Sequence, residues 1–506
     1  LNNRSLHLVW TLKIQKPAIF AHRQAGILQN IMKLTFFGAS RQVTGSMYLL
    51  ELNDGYRMLI DCGYDLEKGR SLAPQSDQSF FPFEPTSINV VLLTHAHVDH
   101  SGNLPVLFRE GYEGQVLSTL PTYYLAALLL RDSAMLNAKR LNTQLQPRTR
   151  KRQQRRQNDG LGNTSGLYFD RHVDETLERF VPIAYQHRFQ VRKGVHVTFN
   201  QTGHLLGAAN IILEIEEGGE TKTICFSGDL GRFNYPMLPD PQPVPKVDYL
   251  ISESTYGGRY HKDGSDAENI LLKVIKEACV DQAGKLLIPA FSVGRTQALL
   301  YELHKLSIAG KLPPIPIYVD SPMAIESTQA YQELSRFMNE EAKELAAGAE
   351  DLFSFEQLHY VQRIGESKAL GDHYRPAIII SASGMLEGGR IQTHLKQQLQ
   401  NNKATILFIG YVADGTLGRR LVDGASSVTV EGRRVDVHAR ILATDVFSGH
   451  ADHDGLMHFI GYQDPKKLKK LFLTHGDYEA MIALRDATVE KGYETVLPYK
   501  GQEFLL

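Results

Sequence analysis

Four residues with metal-ligating side chains fall within six positions: His95, His97, Asp99 and His100. They directly follow the apolar, β-branched run Val90-Val91-Leu92-Leu93, which reads as a buried strand. In an extended segment side chains at i and i+2 project to the same side, so His95 and His97 can grip one ion. Asp99 and His100 come where the chain can turn into a helix, and would face a second. Imidazole nitrogens with a carboxylate suit zinc, with manganese or iron as alternatives. A bland surface cluster is the competing reading, but three His and an Asp at a strand end have no packing role. Further candidates recur at strand ends beside glycine: Asp61 before Cys62-Gly63, His204 after Gly203, Asp229 after Gly228, His450 after Ser448-Gly449 and His475 before Gly476. Asp61 is either a carboxylate that orients a ligand histidine or an ordinary turn residue. His196, inside an alternating strand, is read as structural.

The elements that must position these groups come in two styles. From Met32 the pattern is β-rich, with strands over 33–38, 46–51 and 56–63 separated by Gly38, Gly45 and Asn53-Asp54-Gly55. A helix is expected from Pro121 through Leu130, and the β pattern resumes over 195–199, 203–209, 210–213, 223–229 and 247–257. The style then changes to alternation: helix 267–280, strand 285–291, helix 296–306, and strands 315–320, 377–381 and 404–410. That alternation implies a parallel α/β sheet. Its strand ends carry Gly-rich turns with Arg295, with Ser383-Gly384 and Arg390, and over 410–419 with Arg419. Such carboxyl ends bind ligands, and helix N-termini suit phosphates. None of these turns is a Walker or dinucleotide fingerprint, so no nucleotide cofactor is expected. The last segment returns to the first style, with 471–475 echoing the opening strand, so the α/β unit reads as an insertion into a domain that closes around it.

At 506 residues the chain implies two or three domains, and 42% hydrophobic with 22% charged residues is a globular composition. Lys+Arg 55 against Asp+Glu 56 leaves no bulk basic charge, so any nucleic acid must be held in a local groove. Cys62, Cys225 and Cys279 are odd in number and widely spaced, which fits a reducing cytoplasm. Cys62 is read as a core residue. No apolar run reaches the roughly 20 residues that span a bilayer, so no membrane association is expected. Residues 1–31 are read as a non-native or disordered extension. The basic run over 148–156 is read as a solvated insertion, with an RNA-contacting arm as the alternative.

Taken together and in order, Asp61, the His95-x-His97-x-Asp99-His100 run, His204, Asp229, Glu253 in Glu-Ser-Thr-Tyr-Gly, His450 in Ser-Gly-His-Ala-Asp and His475 in Thr-His-Gly resemble the motifs of the metallo-β-lactamase-fold β-CASP family. The likeness is to its RNA-specific branch. The resemblance implies an α/β fold: a metallo-β-lactamase αββα sandwich over 32–262 and 426–506, an inserted β-CASP domain over 263–425, and an active site in the cleft between them. It implies two Zn2+, with Mn2+ as an alternative. One would sit on His95, His97 and His204, the other on Asp99, His100 and His475, with Asp229 bridging. His475 favours RNA, since the DNA-repair branch typically replaces it.

The implied activity is hydrolysis of phosphodiester bonds in single-stranded RNA, in processing or decay, by a hydroxide held between two metals. It would give 5′-phosphate and 3′-hydroxyl ends. His450 is assigned as the proton donor to the leaving oxygen, with Glu253 orienting it and Asp61 and Asp229 completing the catalytic set. Ser448, Arg295, Ser383, Gly384, Arg390 and Arg419 are expected to contact RNA phosphates. A homodimer is compatible with the sequence. Two other classes compete: a small-molecule metallo-hydrolase of the same fold and a non-catalytic RNA-binding scaffold. The inserted unit and the Glu253/His450 pair argue against the first, and the intact ligand positions argue against the second.

Overall fold

The computed structural model describes residues 32–65, 80–145, 166–261, 266–348, 351–372, 375–413 and 415–506. The extension 1–31 and the basic run 148–156 lie outside the described residues.

Two seven-stranded mixed sheets face each other. The first runs Gln502–Leu505, Lys33–Phe36, Tyr48–Glu51, Arg57–Ile60, Val90–Leu92, Gln115–Ser118, Phe180–Pro182. The second runs Thr495–Val496, Lys470–Thr474, Tyr249–Glu253, Glu220–Phe226, Ala209–Glu217, Val195–Gln201, Phe189–Arg192. One core fills the space between them: Leu34, Phe36, Met58 and Leu92 meet Ile211, Leu213, Phe226 and Phe472. The rings of Phe36 and Phe472 lie 5.2 Å apart. Val90–Leu92 is parallel to both of its neighbours and wholly buried, which is why it reads as an unbroken apolar run rather than an alternating one. The expected helix after Pro121 is longer than its apolar part, Leu120–Leu145.

The middle of the chain builds a third, six-stranded sheet, all parallel: Leu358–Tyr360, Ile317–Val319, Ala377–Ser381, Lys285–Pro289, Thr405–Ile409, Arg440–Thr444. Its sixth strand lies beyond the expected exit at 425. The hairpin Ser427–Val430/Arg433–Asp436 also packs its Val428, Val430 and Val435 into the core beneath this sheet. The chain therefore leaves the third sheet after Thr444. A short edge strand beginning with an arginine carries little apolar signal, and its pairing with Thr405–Ile409 is what defines it. A continuous core joins the inserted unit to the sandwich, with Leu205, Leu206, Tyr235 and Phe447 packed among Val293, Tyr331 and Met338.

Candidate metal centre and its surroundings

Parallel strands of both sandwich sheets end along one edge, and the ligating residues sit there. His95 follows Val90–Leu92, Asp229 follows Glu220–Phe226, Glu253 ends Tyr249–Glu253 and His475 follows Lys470–Thr474. Asp99 and His100 lie on the four-residue helix Val98–Ser101, whose first turn begins at His97. Two donor sets result, His95/His97/His204/Asp229 and Asp99/His100/His475.

In the first set His97 Nδ1 lies 3.2 Å from both His95 Nε2 and His204 Nε2. Asp229 Oδ2 lies 3.5 Å from His95 Nε2 and from His204 Nε2. In the second, Asp229 turns its other oxygen, Oδ1, to His100 Nε2 at 3.2 Å and His475 Nε2 at 3.5 Å, while Asp99 Oδ2 is 3.5 Å from His475 Nε2. Ligands about 2.0–2.1 Å from a tetrahedral zinc are separated by about 3.4 Å along each edge, so both sets have the spacing of a coordination shell. Asp229 is shared between them, one oxygen to each. Asp229 Oδ1 and His475 Nε2 are buried with no hydrogen-bond partner among the described residues, an arrangement that a cation would satisfy.

The ring orientations point the same way. Thr94 Oγ1 gives its proton to Asp61 Oδ2 at 2.8 Å, so at 3.1 Å it must accept from His95 Nδ1. Thr255 Oγ1 donates to the His475 carbonyl at 3.0 Å and so accepts from His475 Nδ1, also at 3.0 Å. His100 Nδ1 donates to Asp61 Oδ2 at 2.7 Å and His204 Nδ1 to the Gly449 carbonyl at 3.0 Å. Each of these four rings is thereby fixed with Nε2 toward the centre, and His97 alone presents Nδ1. Asp61 is held in turn at φ 57°, accepting from the Thr94 amide at 2.8 Å.

Burial holds His95 and His204 well below the usual imidazole range and pushes His97 down to about 4, so these rings are neutral donors. Burial acts the same way on His100 and His475, but there the facing Asp229, with Asp61 for His100 and Asp99 for His475, outweighs it and raises both. Asp229 is held well below the carboxylate range by the surrounding imidazoles despite its burial. Metal uptake by such a set releases protons.

Beside the centre His450 Nδ1 lies 3.1 Å from Glu253 Oε1, and its ring sits 4.5 Å from that of His204. Glu253 is immobilised by the Leu230 amide on Oε1 at 2.6 Å and the Thr255 amide on Oε2 at 3.2 Å. His261 was not singled out from the sequence. Its Nε2 donates to the His450 carbonyl at 2.9 Å, and its amide to Asp452 Oδ2 at 3.1 Å. The only local signal was a histidine eight residues beyond Glu253, with its partner 189 positions away.

The expected phosphate contacts divide. The Arg295 guanidinium lies over the Phe291 ring at 4.7 Å and donates to the Tyr411 carbonyl at 3.4 Å; burial lowers its pKa. Gly384 also packs against Phe291, so that an added Cβ would come within 3.1 Å of its ring, and Ser383 precedes it. These three are brought together. Ser448 is fully buried with its hydroxyl on Tyr256 at 3.2 Å. Arg390 is not available: it donates to the buried Asp320 at 2.7 Å and to the carbonyls of Val361 and Gln362. Arg419 pairs with Asp423 one turn on, at 2.9 Å on an exposed face.

The sandwich, the inserted parallel sheet and the doubled donor set define a metallo-β-lactamase-type hydrolase. Family models match in the same order along the chain: the metallo-beta-lactamase superfamily over 41–246, the Beta-Casp domain over 296–421, and the Zn-dependent metallo-hydrolase RNA specificity domain over 434–498. The chain is 34% identical over 473 residues to Ribonuclease TTHA0252 of Thermus thermophilus, covering 93% of this chain and 99% of the relative. It is 29% identical over 482 residues to Transcription termination factor FttA of Methanosarcina mazei, covering 93% and 71%. A crystal structure of a protein of unknown function from Enterococcus faecalis shares the fold, with TM-score 0.52 at 13% identity over 94% of this chain and 100% of that one. The chain belongs to the RNA-specific branch of the β-CASP family of metal-dependent hydrolases. Among the described residues no helix is long and apolar enough to cross a membrane.

Proposed function

We propose that the protein is a zinc-dependent ribonuclease that hydrolyses single-stranded RNA in processing or decay, leaving 5′-phosphate and 3′-hydroxyl ends. The observation that carries this reading is the His450–Glu253 pair, 3.1 Å apart, on the edge of two donor sets that share Asp229. One Zn2+ would be held by His95, His97, His204 and Asp229, the other by Asp99, His100, His475 and Asp229. When bound, such ions supply Lewis acidity toward a phosphodiester and activate water near neutral pH.

The chain's own residues do the rest. Glu253 accepts from His450 Nδ1 and stabilises the imidazolium, which leaves Nε2 to give a proton to the departing 3′-oxygen. His261 holds the His450 backbone, and the Gly449 carbonyl ties the same segment to His204. Arg295 and the Ser383-Gly384 turn hold RNA phosphates at the inserted side of the cleft, with Ser448 supporting Tyr256 opposite. The relative from Thermus thermophilus is named a ribonuclease, and one matched domain is described by its RNA specificity, which favours RNA over a small diester.

The test is incubation of single-stranded RNA and DNA of one sequence, labelled at either end, with and without chelator. Chelator-sensitive cutting of RNA with 5′-phosphate products is expected. Equal cutting of both polymers, or cutting that persists without metal, contradicts the reading.

A further inference from the structure

Outside the centre, one strip of the sandwich surface joins exposed aromatic rings to arginines. Tyr478 is 45% exposed although it follows His475 by only three residues, and the Arg41 guanidinium lies over its ring at 4.9 Å. Asp477, its neighbour, pairs with Arg259 at 3.5 Å. Arg259 in turn sits 5.6 Å from the Tyr411 ring, which belongs to the inserted unit. Tyr260 is 56% exposed and packs its ring 5.1 Å from His453. Single exposed rings are ordinary, but rings grouped with arginines next to a candidate metal centre mark an interaction surface. Tyr260 and Tyr478 are carried on the segments that bear Glu253 and His475, His453 on that of His450, and the centre's own partly open residues, His97, Asp99 and His450, lie on the same segments or beside them.

We propose that Arg41, Tyr478, Arg259 and Tyr260 form a stacking track for the bases that flank the scissile phosphate, the occupant being a single-stranded nucleic acid. The proposal rests on the ribonuclease reading. Exposed rings take any base by its face, and Arg41 over the Tyr478 ring adds positive charge along the backbone, so the track tolerates every sequence. Asp477 is neutralised by Arg259, which leaves Arg41 as the track's uncompensated cation among these residues. A duplex would not fit, because its bases are already stacked on one another.

The experiment compares Tyr260→Ala, Tyr478→Ala and the double variant with wild type, on short single-stranded RNA and on bis(p-nitrophenyl) phosphate, which has no flanking bases. Each single change is expected to raise KM for RNA by about fivefold or more, the double change by roughly the product, with kcat and small-diester turnover at wild-type values. Tyr260→Phe and Tyr478→Phe should restore the wild-type KM, since the ring and not the hydroxyl stacks. Tyr124→Ala, exposed on the helix Leu120–Leu145, is the control that leaves KM unchanged. A wild-type KM in the double variant, or a parallel loss on the small diester, overturns the track. Wild-type enzyme that turns over the small diester but no RNA overturns the ribonuclease reading itself and the track with it.

Discussion

Thr94 offers one hydroxyl to three partners, and the direction of its proton decides how the first donor set works. Because it donates to Asp61, it must receive from His95 Nδ1, which turns His95 Nε2 inward. Thr94→Val keeps the shape and removes the acceptor, so metal affinity should fall about 10- to 100-fold in competition with a chromogenic chelator, with the fold retained. His450→Ala removes the proposed proton donor but none of the residues of the two sets. Its kcat on RNA should fall by about 10²–10⁴ while metal content stays at the wild-type level. An unchanged rate with both ions bound would assign the proton to another group. The candidate ligands stood out in the sequence because His95 to His100 crowd the end of an apolar run, while His204, Asp229 and His475 each lie next to a glycine. The tie of Arg390 to Asp320 was not legible because the two lie 70 positions apart, and Gly449 was not seen as an orienting group because its contribution is a backbone carbonyl.

Among the elements, the carboxyl end of Ile317–Val319 carries a buried polar cluster centred on Asp320. Asp320 accepts from Ser367 Oγ at 2.6 Å and from Arg390 and His394, each at 2.7 Å, tying the strand to the helices Ile364–Asp372 and Ile391–Gln398. Burial raises its pKa, but these three hydrogen bonds outweigh it and the net shift is downward. A carboxyl whose folded pKa lies below its unfolded value stabilises fully above about pH 4, and that contribution disappears as pH falls through the folded value. Asp320→Asn should therefore cost about 3–5 kcal/mol near neutrality and flatten the acid limb of the stability curve, read by urea denaturation across pH. An acid limb identical to wild type would show that the cluster carries no such linkage. The parallel strands of this sheet were legible from helix and strand alternation. Arg440–Thr444 was not, since an edge strand shows itself only through the neighbour it pairs with.

At the scale of the whole molecule, the centre draws residues from strand ends of both sandwich sheets and from both sides of the inserted unit in sequence. His95 to His100 precede the insertion, and His475 follows it. An ion bound there bridges segments that the unfolded chain leaves hundreds of positions apart, so it favours only the folded state. Saturating Zn2+ at about 100 times Kd is expected to add about 2.7 kcal/mol per independent site, raising Tm in a thermal scan of chelator-treated protein. A Tm unmoved by Zn2+ would mean that the donor sets bind no ion tightly. The order of the motifs made the sandwich, its insertion and the bridging place of Asp229 legible before any geometry, whereas which Asp229 oxygen faces which donor set emerged only from the facing strand ends.

The sharing of Asp229 between two donor sets is tested most directly by counting metal per chain in purified wild-type, His475→Ala and His450→Ala proteins by elemental analysis. Two ions are predicted for wild type and His450→Ala, and one for His475→Ala, whose first set of His95, His97, His204 and Asp229 is intact. A single ion in the wild type, or two retained after loss of His475, would contradict a two-metal centre built from both ends of the chain.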